Sequence, residues 1–262
     1  MFRARLVACG YSQIPGVDFS ENFSPVVNDI TFRILLEVMI LCGYSAKIAD
    51  VETAFLHGKL EEEIYMECPP GMQEVGLGDV NSEEDAVLLL QSIYGTVQSA
   101  RQYFKKAVRI LKEIGFTGGE VDPCLFWRKS NKGTCYIALY VDDNLLIGDL
   151  TAIDEVIELL RSKGFILKVE DKLTDYLSCE IILSKDRKKA WLGQPHLITN
   201  LEKKFGDKVK NLRTYKTPGT PNLSMIRNTD ESQAISREIV SIRSRDATLS
   251  CQTFATRYCK SC

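Results

Sequence analysis

Histidine is nearly absent from this chain. His57 and His196 are the only two among 262 residues, and they lie far apart. A nucleophile relay built on imidazole therefore has little to draw on. No phosphate loop ending in Gly-Lys-Thr or Gly-Lys-Ser can be written. No internal repeat is visible. Long apolar runs are missing too: the stretch from Ile34 to Cys42 follows Arg33, is broken by Glu37 and is too short to span a bilayer. An excess of basic charge is also lacking, since 33 Lys and Arg face 35 Asp and Glu. A nucleic-acid binder with this balance has to gather its cations locally.

Cysteine is not scarce, but its pattern excludes a disulfide framework. The nine cysteines are odd in number and scattered. With no signal peptide ahead of them they read as reduced thiols of a cytosolic or nuclear protein. Cys259-x-x-Cys262 has no second ligand pair nearby, so no zinc knuckle is expected there. The rest is ordinary globular material, 45% hydrophobic and 26% charged, enough for one large domain or two small ones.

In chain order, Arg3 to Gly10 is strand-like and Ile14-Pro15-Gly16-Val17-Asp18 turns. Asp29 or Thr31 caps a helix running to about Leu41, with Gly43 as its stop. Its apolar positions surround the axis, which predicts burial on all sides. Lys47 to Val51 reads as a strand ending near Asp50. Residues 61–85 hold nine acids and no Lys or Arg, a solvated loop. A helix from about Ser99 to Ile114 carries an apolar stripe that includes Tyr103, and a basic face of Arg101, Lys105, Lys106, Arg109 and Lys112. Strands follow at Cys124–Trp127 and Cys135–Tyr140. Thr151 caps a further helix ended by Gly164. Phe165–Val169, Tyr176–Leu183 and Ala190–Gly193 read as strands, and a helix begins at Pro195. Lys203, Lys204, Lys208, Lys210, Arg213 and Lys216 form a phosphate-tracking surface or a lysine-rich linker. From residue 236 to 262 the sequence is an irregular tail without periodicity.

The chemistry centres on Tyr140-Val141-Asp142-Asp143-Asn144-Leu145. An apolar run rises to two adjacent aspartates and resumes, as strand, tight turn, strand with Asp-Asn at the corner. Adjacent carboxylates at a buried tip repel and lose hydration, and a positive partner stabilises them. Carboxylate oxygens suit a hard cation such as magnesium. The bland alternative is a hairpin whose Asp-Asn only makes the turn.

The flanking blocks favour the chemical reading. Ala4-Arg5-Leu6-Val7, Phe23-Ser24-Pro25-Val26-Val27, Asp50-Val51-Glu52-Thr53-Ala54-Phe55-Leu56-His57-Gly58, Glu62-Glu63-Ile64-Tyr65-Met66, Ser92-Ile93-Tyr94-Gly95, Tyr140-Val141-Asp142-Asp143 and Tyr176-Leu177-Ser178-Cys179-Glu180-Ile181 occur in series. Together they resemble the copia-type retrotransposon reverse transcriptase, the RNA-dependent DNA polymerase of a Pol polyprotein.

The resemblance implies an α+β fold, a palm with partial fingers on a mainly antiparallel sheet, over residues 1–235. It implies nucleotidyl transfer to a primer 3′-hydroxyl with two Mg²⁺ ions, or Mn²⁺ in their place, ~3.5–4 Å apart. Asp50 and Asp142 would bridge the ions and Asp143 would be the outer ligand. Phe55 would close the sugar pocket against a 2′-hydroxyl. Tyr94 and Gly95 would form the nucleotide-pocket turn. Arg3 or Arg5 would contact the triphosphate. The implied partners are an RNA or DNA template, a DNA primer or RNA–DNA hybrid, and deoxynucleoside triphosphates, without a membrane.

The chain also departs from the pattern. After Gly95 the family has a proline and, later, a tryptophan; here the run is Thr96-Val97-Gln98-Ser99-Ala100-Arg101-Gln102-Tyr103. The sequence before Arg3 and after about residue 235 reads as a truncated copy. Two rival readings follow: a catalytically inactive remnant or co-opted nucleic-acid-binding module on the same fold, and an unrelated magnesium phosphohydrolase.

Overall fold

The computed structural model describes residues 5–69, 71–72 and 85–209. Arg3, the stretch from Lys210 to Lys216 and the tail 236–262 lie outside the described residues. The chain divides into two compact units at Leu173.

The first unit is built on antiparallel strands. They are β1 (Ser45–Val51), β2 (Tyr65–Glu67), β3 (Ala86–Leu88), β4 (Thr117–Gly118), β5 (Leu125–Ser130), β6 (Gly133–Ala138), β7 (Asp143–Gly148) and β8 (Leu167–Glu170). Six of them form one sheet in the order β4-β5-β6-β7-β1-β8, while β2 and β3 pair separately. The helices are α1 (Asp29–Cys42), α2 (Ser99–Glu113) and α3 (Leu150–Ser162). Asn144 to Gly148 of β7 are all buried, so both faces of this strand are covered, as its continuous apolar run requires. Leu145, Leu146 and Ile147 of β7 and Ile153 and Val156 of α3 belong to the core, each 0% exposed.

The second unit contains β9 (Asp175–Tyr176), β10 (Cys179–Leu183), β11 (Ala190–Gly193) and α4 (Pro195–Val209). The stretch Tyr176–Leu183, strand-like in its pattern and from Tyr176 to Ile181 a hairpin by the family resemblance, is a hairpin of β9 and β10. Leu177 and Ser178 both take positive φ, 51° and 62°, the signature of a two-residue turn with left-handed centres.

Several local expectations need correction. The α1 cap is Asn28, whose side chain accepts from the Ile30 amide. Thr31 is drawn elsewhere: its hydroxyl donates to Asp122 at 2.6 Å. Gly43 does end the helix, at φ 69°. Burial of α1 is one-sided, with Phe32, Leu35, Leu36 and Met39 inside and Ile30, Ile34 and Leu41 exposed. The N-cap position of α3 belongs to Asp149, while the Thr151 hydroxyl donates to the Lys132 carbonyl. Within the acidic stretch, Tyr65–Glu67 leaves the loop to pair with Ala86–Leu88; residues 73–84 lie outside the described residues.

Candidate active site

The β1–β7 pairing sets the site. Its register places Asp50 directly opposite Asp143. Side chains of such a pair share a face, with Cβ atoms about 4.5–5.5 Å apart. On its other flank Asp50 faces Lys168 of β8. Asp142 is the last residue before β7, and its carbonyl accepts from the Val51 amide at 2.9 Å. All three predicted carboxylates therefore come from neighbouring strand ends.

The turn that carries Asp142 differs from the expected one. The Asp143 amide donates to the Tyr140 carbonyl, so Val141 and Asp142 form the corner. Asn144 lies inside β7, buried at 6% exposure. Val141 takes φ 49°, a left-handed conformation that is costly for a β-branched residue. Two donors hold the strained turn in place by its Asp142 carbonyl: the Val51 amide, and Asn144 Nδ2 at 3.2 Å.

Electrostatics mark the same place. Burial raises the Asp50 carboxyl above its usual range, the Asp142 charge adds to this, and Lys168 opposes it. Burial raises Asp143 as well, followed by Asp142 and Asp50. Two acids raised by burial and by the neighbouring Asp142 charge are what a cation would relieve. As they stand, no three acidic, imidazole or thiol groups among the described residues form a cage for a metal ion.

The other predicted site residues gather around one ring. The Phe55 and Tyr94 rings meet edge-on at 4.9 Å, and the Arg5 guanidinium lies 4.4 Å over Tyr94. The β1 end is followed by the short helical turn Ala54–His57, which presents Phe55. The buried Ser92 hydroxyl pins that turn by donating to the Phe55 carbonyl at 2.5 Å. Gly95 takes φ 93°, and a Cβ there would sit 2.1 Å from the Ala8 carbonyl oxygen. Only glycine lets the two backbones approach this closely. Arg5, Phe55, Tyr94 and Gly95 thus lie together around the Tyr94 ring.

Other predicted features are used differently. The basic face of α2 is largely paired: Arg101 with Glu21, Lys105 with Glu61 and Arg109 with Glu113. Lys203 and Lys204 are exposed on α4 in the second unit. His57 is part-buried with its ring edge against Phe165; burial, then Lys106, lowers its basicity. A cavity of about 630 Å³ lined by Val7, Cys9, Tyr11, Ile64 and Met66 contains none of the predicted site residues.

Sequence reasoning missed Lys168, whose place beside Asp50 comes from long-range pairing that no local pattern announces. It also missed the structural part played by Asn144 and Tyr103. Burial pushes the Tyr103 hydroxyl well up, contact with the Asn144 side chain opposes the rise, and the charges of Asp142 and Asp50 add to it. Tyr103 is buried on α2 within reach of the Asp142 and Asp50 charges, at the position where the family pattern has tryptophan.

With this geometry in hand, the comparisons decide the family. The family model described as reverse transcriptase (RNA-dependent DNA polymerase) matches residues 1–219. This chain belongs to the reverse transcriptase family. It is 32% identical over 86% of its length to the retrovirus-related Pol polyprotein from transposon TNT 1-94 of Nicotiana tabacum. It is 34% identical over 68% of its length to that from transposon RE2 of Arabidopsis thaliana. The Ty1-DR5 Gag-Pol polyprotein of Saccharomyces cerevisiae is 28% identical over 62% of the chain. The chain spans 16% and 12% of the two plant relatives. No solved structure matches.

These relatives are transposon Pol polyproteins, so an unrelated phosphohydrolase is not favoured. Reverse transcriptases generally use divalent metal ions, nucleotides and a nucleic-acid template and primer. Among the described residues no helix is long and apolar enough to cross a membrane.

Proposed function

We propose that this chain carries out RNA-templated DNA synthesis for a retrotransposon, in the cytosol or nucleus. The fold within residues 1–235 then serves as palm with partial fingers. The observation that carries the reading is the register placing Asp50 opposite Asp143, with Asp142 at the adjoining turn.

The donor set fits magnesium. Three carboxylates on strand ends offer only hard oxygen ligands, and two of them are raised by burial and like charge. Asp50 and Asp142 would hold two ions jointly, with Asp143 as the outer ligand. Bound there, magnesium, or manganese in its place, supplies the charge that acidifies a primer 3′-hydroxyl and neutralises leaving pyrophosphate.

The chain's own residues do the positioning. Arg5 offers a planar fork to phosphate. Tyr94 and Gly95 bring backbone against the nascent base pair. Phe55, braced by Tyr94 and by Ser92 behind it, excludes a 2′-hydroxyl and so selects deoxynucleotides. The hairpin of β9 and β10 grips the primer.

The test is single-nucleotide incorporation on an RNA template with a DNA primer, with binding to the RNA–DNA hybrid followed against salt. The turn after Gly95 lacks the family's proline and tryptophan, and misplacement by about 1 Å can cost 10²-fold in rate. Slow incorporation is therefore expected, with binding that weakens steeply as salt rises. Asp142→Asn should abolish incorporation. Extension that survives this substitution would overturn the assignment. Salt-insensitive binding would remove the primer–template groove. Metal and hybrid binding without any incorporation would leave a co-opted binding module.

A further inference from the structure

Asn144 is a polar side chain in an otherwise apolar strand, and it is 6% exposed. Such burial is unfavourable unless the amide is used. Its Nδ2 donates to the Ala49 carbonyl at 3.3 Å and to the Asp142 carbonyl at 3.2 Å. Both neighbours are acceptors, which fixes the orientation of the amide. One acceptor lies on β1 next to Asp50, and the other belongs to the strained turn itself. The amide thus ties together the two backbone segments that carry the carboxylates.

Its other end is unfinished. Asn144 Oδ1 is buried without a hydrogen-bond partner. The hydroxyl of Tyr103, a residue 3% exposed on α2, interacts with this side chain. Tyr103 thus lies against the amide from the helix side.

We propose that Asn144 is a positioning residue: backed by Tyr103, it sets the spacing between Asp142 and Asp50 and so the affinity of the site for a divalent cation. The proposal rests on the metal-centre reading above. Groups that orient metal ligands without touching the ion typically change affinity 10–100-fold when altered.

The test is Mn²⁺ titration of the full 262-residue chain, read by electron paramagnetic resonance without nucleotide. Asn144→Leu, Tyr103→Phe and Asp142→Asn are titrated alongside, and thermal midpoints are taken in EDTA. Asn144→Leu should bind Mn²⁺ about 10–100-fold more weakly, and Tyr103→Phe should show a smaller loss in the same direction. A folded Asn144→Leu with parental affinity, even at a lowered melting temperature, would make the residue merely structural and overturn the proposal. Should Asn144→Leu not fold, unchanged affinity in Tyr103→Phe would overturn it equally. If the parent chain binds no Mn²⁺, or Asp142→Asn binds as the parent does, the metal-centre reading fails and takes the proposal with it.

Discussion

Asp122 and Asp50 are both withdrawn from water, and the fold treats them in opposite ways. Asp122, 6% exposed, accepts from the Asn28 amide at 3.0 Å, the Thr31 hydroxyl at 2.6 Å and the Cys124 amide at 2.9 Å. Its charge is met by donors, and it joins the start of α1 to the approach to β5. Asp50 instead stands among Asp142, Glu52 and Glu170, with Lys168 as its positive neighbour, and its carboxyl is raised. One acid contributes stability. The other costs stability, and the cost falls at the site proposed to take up cations. Strain at Val141 lies in the same small region, as expected where function overrides local preference.

The contrast can be broken most forcefully at Asp122. Asp122→Ala leaves two buried amides and a hydroxyl without their acceptor, a loss of about 2–3 kcal/mol. Urea denaturation would measure it, and nucleotide incorporation per folded molecule should not change. A loss within experimental error would mean that the three donors find other partners.

Asp50→Asn should act the other way, and less strongly. The folded-state pKa of Asp50 is raised above the unfolded value of about 3.9. Between those two values the folded chain holds more protons, so stability falls as pH rises through the window. Above the folded pKa the penalty is complete. The variant should therefore melt higher than the parent at neutral pH in EDTA, with the advantage vanishing below about pH 3.9. A variant that melts lower at pH 7 would show that Asp50 is stabilised where it stands.

Lys168→Ala should give the smallest effect. The side chain is 63% exposed and also pairs with Glu170 at 3.2 Å, so screening limits the change to a few tenths of a kcal/mol. It should lower stability at neutral pH and raise the Asp50 and Asp143 carboxyls further, as carbonyl-resolved NMR titration would show.

What could be read from the sequence was mostly local. The aspartate pair between apolar runs, the stops at Gly43 and Gly164, and the stripe of α2 are written within a few residues and appear as expected. The roles proposed for Arg5, Phe55, Tyr94 and Gly95 come from the family resemblance rather than from spacing. Failures came where distant residues decide. Thr31 is a competent cap in isolation, but Asp122, 91 residues on, captures its hydroxyl and Asn28 takes the capping role. Asn144 looked like a turn residue because Asp-Asn favours corners; the Val51 amide on β1 fixes the corner one step earlier. The basic face of α2 is plain in the sequence, but its pairing with Glu21 and Glu61 from other parts of the chain is not.

The central claim, that Asp50, Asp142 and Asp143 form one cation site, is tested most directly by the shift in melting temperature on adding Mg²⁺. A ligand that binds only the folded state raises stability by RT ln(1 + [L]/Kd). Mg²⁺ should raise the midpoint of the parent and of Asp122→Ala alike, and leave Asp142→Asn unmoved although that variant folds. An equal shift in Asp142→Asn would place the ion elsewhere and contradict the account.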